Sequence, residues 1–267
     1  MSSLLTSLRN LGHSLLHVLI PPACAVCGRL VDEGCYICPA CQETMEPVRL
    51  TRLEDNGLTR LFAPCGMVVR AASLLRYRPE SLVAQLLMEI KYHGRPQLAF
   101  HLGQWMAREL QPRGFFADAD ALIPMPLTPE RQKQRGYNQS EQLALGISDV
   151  TGIPVRTDVA ERTSFRISQT RLTAEERRNN VEGAFSPTAA YRQAVMRGEG
   201  LHHPLFIDDV ITTGASMAAL ISAVAPAKFS VLSLALAGIH PLTAISEEEI
   251  GRETSSAVTR TTVLFEE

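Results

Sequence analysis

Residues 206–216 read Phe-Ile-Asp-Asp-Val-Ile-Thr-Thr-Gly-Ala-Ser. Apolar Leu205, Phe206 and Ile207 lead into the adjacent carboxylates of Asp208 and Asp209. A hydroxyl- and glycine-containing loop follows from Thr212 to Ser216, then the alanine-rich apolar segment Met217 to Val224. That order predicts a strand, an acidic tip, an anion-binding loop and a helix. Small-molecule sites in open α/β sheets lie beyond the carboxyl ends of the strands, where this tip falls. The unpaired amides of a helix N-terminus and the positive end of its dipole suit a phosphate. Gly214 permits close backbone approach, and Thr212, Thr213 and Ser216 add hydroxyl donors. The aspartates repel a phosphate and instead require hydroxyls or a divalent cation. The expected ligand therefore carries a phosphate together with sugar hydroxyls or a metal. An ATPase strand ending in magnesium-binding acids would need a G-x-x-x-x-G-K-[ST] loop. No glycine in this chain precedes a lysine.

Outward from this stretch, strand and helix patterns alternate. Val68 to Tyr77 reads as a strand and Ser81 to Tyr92 as a helix with Leu82, Leu86 and Ile90 on one face. Leu98 to Leu110 is a second helix, Ala121 to Ile123 a short strand, Ser140 to Val150 a helix and Val155 a further strand position. Phe229 to Ala237 follows the signature helix as a strand. Alternation of this kind predicts a mostly parallel sheet flanked by helices.

At 267 residues the chain suits one large domain and a small one, with 45% hydrophobic and 20% charged residues typical of a globular protein. A net charge of −2 gives no global preference for nucleic acid, but its distribution is uneven. Residues 131–178 hold nine Lys/Arg against six Asp/Glu, whereas residues 240–267 hold two against six. A local phosphate-binding face and an acidic tail are expected. No apolar run is long enough for a membrane span, and the apolar N-terminus lacks a basic start and a small-residue cleavage site.

Five of the six cysteines lie between Cys24 and Cys41. Cys24-x-x-Cys27 and Cys38-x-x-Cys41, ten residues apart, have the spacing of a structural zinc site. Four thiolates fill a tetrahedral ion, and in so short a segment the metal replaces a hydrophobic core. Cys35 leaves a second pairing open, since Cys35-x-x-Cys38 is also a C-x-x-C pair. Clustered metal-binding thiols favour a reducing compartment, so a cytoplasmic protein is expected.

Two further segments belong with the signature. Ile123-Pro124-Met125-Pro126-Leu127 leads into Arg131, Lys133 and Arg135 and then Gly136-Tyr137-Asn138-Gln139. A strand, a proline-constrained turn and cations of this kind can meet a pyrophosphate. An arginine-rich excursion follows, with Arg162, Arg166, Gln169, Arg171, Arg177, Arg178 and Asn180. It reads as a basic lid over a phosphate site, or as a solvated helix laced by Glu175 and Glu176.

The 206–216 stretch resembles the phosphoribosyl-pyrophosphate (PRPP) signature of type I phosphoribosyltransferases. The resemblance narrows with Ile-Pro-Met-Pro-Leu (123–127), Arg-Gly-Tyr-Asn-Gln (135–139), Gln169 with Arg177 and Asn180, and Ile90-Lys91-Tyr92. With the Leu-x-x-Leu-Ile-Pro-Pro run before Cys24, these strings look like the ComF family of competence-protein-F-like, or GntX-like, proteins. The match extends from about Leu15 to Gly238.

The resemblance implies a type I phosphoribosyltransferase-like α/β domain behind a small N-terminal zinc module. The expected organisation is an amphipathic helix (1–22), the zinc module (23–47, metal ligands Cys24, Cys27, Cys38 and Cys41), a linker (48–65), the phosphoribosyltransferase-like domain (66–240) and an acidic tail (241–267). It implies that Asp208 and Asp209 hold the ribose hydroxyls and act in catalysis. Thr212, Thr213, Gly214, Ala215 and Ser216 would then wrap the 5′-phosphate of PRPP or a related phosphosugar. Arg131, Lys133 and Arg135 would lie on the pyrophosphate side, and Arg166, Gln169, Arg177 and Asn180 in a mobile loop. Zn2+ is the implied structural ion, and Mg2+ accompanies PRPP. The family further implies a role in DNA uptake, handling incoming single-stranded DNA with a helicase-like uptake protein. The alternative is an active phosphoribosyltransferase in base salvage or modification. The sequence departs from the family in retaining only Cys65 where many relatives carry a second cysteine cluster, and its tail after His240 matches nothing in the pattern.

Overall fold

A computed structural model describes residues 22–162 and 183–238. The N-terminal amphipathic helix, the loop residues Arg166, Gln169, Arg177 and Asn180, and the acidic tail lie outside the described residues.

The described strands are β1 (Met67–Tyr77), β2 (Ala121–Pro124), β3 (Ala160–Arg162), β4 (Phe185–Pro187), β5 (Pro204–Ile211) and β6 (Lys228–Ala237). Four of them form a sheet in the order β1-β6-β5-β2, and every neighbouring pair is parallel. Val155 adds a parallel bridge to Leu122 on the outer side of β2. β3 and β4 form a separate antiparallel pair, Arg162 opposite Phe185.

This order places a topological switch. From β2 the chain moves outward to Val155, and from β5 it moves the other way to β6. The crossovers diverge between β2 and β5, and the crevice beyond their carboxyl ends is where an open α/β sheet receives ligands. Pro124, the last residue of β2, pairs with Ile207, so Asp208 is the first β5 residue beyond that pairing.

Helices cover both faces. α3 (Leu82–Tyr92), α4 (Pro96–Leu110) and α6 (Gln139–Thr151) pack on one side, where Leu86, Ile90, Leu102, Met106, Leu143 and Ile147 meet Leu205, Ile207 and Leu232 in one core. α8 (Ala215–Val224) covers the other, with Met217, Leu220 and Ile221 against Phe206, Phe229 and Val231. Burial of these side chains is the main favourable term for the domain. α4 and α6 cross so closely that a Cβ on Gly103 would overlap the carbonyl oxygen of Leu143, and one on Gly146 that of Phe100.

Among the described residues, four α-helices arise where none was expected. The stretch read as a linker carries α2 (Gly57–Phe62). Asn56 accepts from the backbone of Leu58 and Thr59, while the Thr59 hydroxyl accepts from the backbone of Asn56. This is a capping box with threonine in place of the usual Glu or Gln. Leu58 and Phe62 are buried against the α8 side of the core. The cations after Leu127 lie on α5 (Pro129–Arg135), capped by Thr128 and ended by Gly136 in a left-handed conformation. α1 (Pro39–Thr44) belongs to the cysteine module, and α7 (Ala189–Met196) leads towards β5. No helix among the described residues is long and apolar enough to cross a membrane.

Candidate functional site

The alternation of β5 sends Asp209 to the same face as Leu205 and Ile207, towards α3. It is 4% exposed, and its Oδ2 lies 2.5 Å from Lys91 Nζ at the end of α3. Asp208 is partly buried beside it. Its Oδ1 accepts from Ser140 Oγ at 3.1 Å and from the Asp209 amide at 2.8 Å. Burial first, and the neighbouring Asp209 carboxylate second, push the Asp208 pKa well above the ordinary carboxylate value.

The segment after β2 closes the other side. Met125 N donates to Ile207 O at 2.8 Å, and Met125 O accepts from Asn138 Nδ2 at 3.0 Å. Asn138 also caps α6 by accepting from the Ser140 amide at 3.0 Å. One buried asparagine thus fixes the proline turn of β2 and the helix start that presents Ser140. Tyr137 OH donates to Ile90 O at 2.5 Å. Arg135 donates to Gln139 Oε1 at 2.8 Å and lies over the Tyr92 ring, 5.2 Å from its centroid. Ile90-Lys91-Tyr92, residues 135–140 and Asp208-Asp209 therefore meet in one connected network at the switch crevice.

Arg131 and Lys133 are exposed on α5. Arg162, at the end of β3, lies over Phe185 at 5.1 Å. Its pKa is lowered first by burial and next by the positive charge of Arg131, with Asp208 opposing. Arg162 is therefore within electrostatic reach of both Arg131 and Asp208.

The loop after β5 has the local form of an anion cradle. Gly214 has φ +76° and precedes α8, whose first turn has no side-chain cap beyond the 3.4 Å contact of Ala215 N with Thr213 Oγ1. A Cβ at Gly214 would fall 2.7 Å from Leu61 Cδ2. α2 thus supports the loop from behind, and glycine is required by both conformation and space.

At the N-terminal module, the sulfurs of Cys24, Cys27, Cys38 and Cys41 lie within 4.8 Å of one another. The Cys27–Cys38 sulfur separation is 3.7 Å. Four thiolates about 2.3 Å from a tetrahedral zinc stand about 3.8 Å apart, so the donor set fits a structural Zn2+. Cys35 is exposed and outside this cluster, an arrangement that favours the symmetric knuckles. Burial alone would raise the Cys24 thiol, but backbone donors at Cys27, Cys38 and Val26 outweigh it and bring its pKa to about 6. Burial, then hydrogen bonds from the other three thiols, push Cys41 up to about 12. Ile37 and Met45 join the main core, and Tyr36 stacks on His101 of α4 at 4.4 Å. The module is thus docked on the α/β domain.

Sequence reasoning had assigned no role in the site to Lys91 or Ser140. Lys91 carried a signal: it continues the i, i+4 stripe of buried Val83 and Leu87 on α3, where a charge must have a partner. Ser140 carried none, because its role depends on the packing of α6 against β5.

Residues 15–52 match the double zinc ribbon domain family. Among the described residues there is one four-cysteine cluster. The chain is 36% identical over 98 residues to Competence protein F of Haemophilus influenzae, covering 37% of this chain and 41% of that protein. It is 25% identical over 206 residues to DNA utilization protein YhgH of Salmonella typhimurium, covering 73% and 80% respectively. With YhgH of Escherichia coli O157:H7 it shares 26% identity over 208 residues, covering 73% and 80%. The first of these matches spans less than half of the relative's length. Among solved structures, glutamine PRPP amidotransferase from B. subtilis complexed with ADP and GMP aligns with a TM-score of 0.35 and 20% identity, over 55% of this chain and 30% of that one. An allosteric regulatory enzyme of purine biosynthesis aligns with a TM-score of 0.35 and 16% identity, over 64% and 42%. The competence and DNA-utilization relatives, with the zinc ribbon, support a ComF-family assignment.

Proposed function

We propose that this chain, assigned to the ComF family, binds a ribose phosphate of the PRPP type at Asp208–Ser216 and uses that site in handling single-stranded DNA during DNA uptake. The observation that carries the reading is the convergence of three distant strings, 90–92, 135–140 and 208–209, on the crevice between β2 and β5. Asp208 and Asp209 receive the ribose hydroxyls. Thr212, Thr213, Gly214, Ala215 and Ser216 wrap the 5′-phosphate with the free amides of the α8 start. Arg131 and Lys133, with Arg162 nearby and Arg135 braced on Tyr92, form the pyrophosphate side. Mg2+ enters with the pyrophosphate it neutralises. Arg166, Gln169, Arg177 and Asn180 belong to the segment that leaves and rejoins the described chain beside Arg162, and supply further anion contacts.

The DNA half draws on the names of the relatives and on Tyr92. This ring is 56% exposed although the residues on either side of it in the network are fixed, and Arg135 holds one of its faces. A rigid aromatic with an attached guanidinium is a stacking platform for bases of a single strand. A helicase-like uptake protein and a cytoplasmic location complete the reading. An active phosphoribosyltransferase, in which an acceptor base displaces pyrophosphate from C1 of the ribose, uses the same site. Pyrophosphate release with a panel of bases separates that activity from binding alone.

Fluorescence anisotropy of a labelled single-stranded oligodeoxynucleotide tests the DNA half. The wild type binds, more weakly as salt rises, and Tyr92→Ala loses about 1–3 kcal/mol. No binding even at low salt contradicts a direct DNA role.

A further inference from the structure

We infer that Lys91 holds the cation position of the acidic pair in the free protein, so that Asp208 and Asp209 meet the ligand's hydroxyls directly and not through a divalent ion. The buried partner is Asp209, 4% exposed, and the ammonium sits 2.5 Å from its Oδ2. The Lys91 side chain is itself only 19% exposed.

Lys91 is not a surface arm that happens to reach the site. Tyr137 OH holds the carbonyl of Ile90, the residue before it. Arg135 lies on the ring of Tyr92, the residue after it, and Gln139 holds Arg135. The ammonium is thereby delivered from a fixed backbone. Asp208, by contrast, is met by uncharged donors, the Ser140 hydroxyl and the Asp209 amide.

The two carboxylates therefore differ. Lys91 meets Asp209 in direct contact, whereas its charge reaches Asp208 only through space. Magnesium needs near-octahedral oxygen ligands at about 2.0–2.1 Å, and an ammonium at hydrogen-bond distance from the buried oxygen occupies that approach and repels a second cation. Sugar hydroxyls are neutral donors and meet no such repulsion. The metal that travels with a pyrophosphate is then bound through the ligand's own oxygens. A phosphosugar without pyrophosphate needs no divalent ion at all. This last consequence rests on the phosphosugar reading, whereas the exclusion of a cation by Lys91 does not.

The test uses the zinc-loaded full chain. Mn2+ binding is followed by electron paramagnetic resonance and by the melting temperature, without sugar. The wild type and Lys91→Arg take up no Mn2+ at the acidic pair. Lys91→Met and Lys91→Gln gain one Mn2+ with affinity raised roughly tenfold or more, the ion raises their melting temperature, and adding Asp209→Asn abolishes the gain. Mn2+ binding by the wild type that disappears in Asp209→Asn overturns the inference. So does a folded Lys91→Gln protein, with its zinc retained, that binds no more Mn2+ than the wild type. Calorimetry with ribose 5-phosphate in divalent-free buffer and with Mg2+ forms the second arm. The wild type binds equally in both, and Lys91→Gln binds only with Mg2+. Absence of ribose 5-phosphate binding, with the manganese result as expected, overturns the phosphosugar reading and leaves the role of Lys91 supported.

Discussion

Ser140 Oγ donates to Asp208 Oδ1 at 3.1 Å, tying the first turn of α6 to the acidic end of β5. The Asp208 pKa is nevertheless raised by burial and by the Asp209 charge, which the Asp209 amide and the Lys91 charge only partly oppose. A carboxyl whose folded pKa lies above its unfolded value contributes stability that is full below the unfolded pKa and is lost as pH rises through the folded one. Asp208→Asn, which keeps an oxygen to accept from Ser140, escapes that loss. Its melting temperature is expected to exceed that of the wild type at pH 8. The gap closes as pH falls below the ordinary carboxylate range of about 4. Thermal scans of both proteins across pH check this, and a less stable Asp208→Asn protein at pH 8 speaks against an unfavourable Asp208 charge.

The metal module gives a prediction that discriminates between neighbouring cysteines. Metal analysis is expected to find one zinc per chain in the wild type and in Cys35→Ser, and none in Cys24→Ser. Because Ile37, Met45 and Tyr36 of the module pack on the main domain, zinc loss also lowers the stability of the α/β core. Zinc retained by Cys24→Ser and lost by Cys35→Ser would require a different ligand set.

Gly103 and Gly146 set the approach of α4 to α6, and α6 carries Ser140. Gly103→Ala forces a methyl group into the Leu143 carbonyl, and either the helices separate or the backbone bends. The expected cost is about 3 kcal/mol, at the upper end for overpacking because the obstacle is backbone. Urea unfolding measures it. A change below 0.5 kcal/mol, roughly the size of a neutral surface substitution, contradicts the close crossing.

Much of this architecture is legible along the chain because the informative residues are contiguous. Asp208-Asp209 followed by Thr212–Ser216 states strand, acidic tip and phosphate loop in one reading, and the parallel sheet and switch crevice supply the setting it called for. The four zinc ligands are equally local. α2 was obscured because its capping box uses Asn56 with Thr59, a pair that in a charged stretch looks like any polar linker. α5 was obscured by the proline-constrained turn read at 123–127, which leads into the cations with no helical pattern of its own, although Pro129 opens a helix there. Lys91 and Ser140 reach the aspartates only once α3 and α6 are packed on the sheet. Contacts of that kind are set by tertiary packing and leave at most an out-of-place charge in the helical pattern.

The central claim is that the acidic pair and its loop hold a ribose phosphate. Calorimetry with PRPP and Mg2+ measures this on the folded, zinc-loaded chain. The wild type is expected to bind one PRPP per chain, and the Asp208→Asn, Asp209→Asn double variant to lose that binding by at least about 2.8 kcal/mol, a hundredfold in affinity. Undiminished PRPP binding by the double variant, or none by the wild type, contradicts the account.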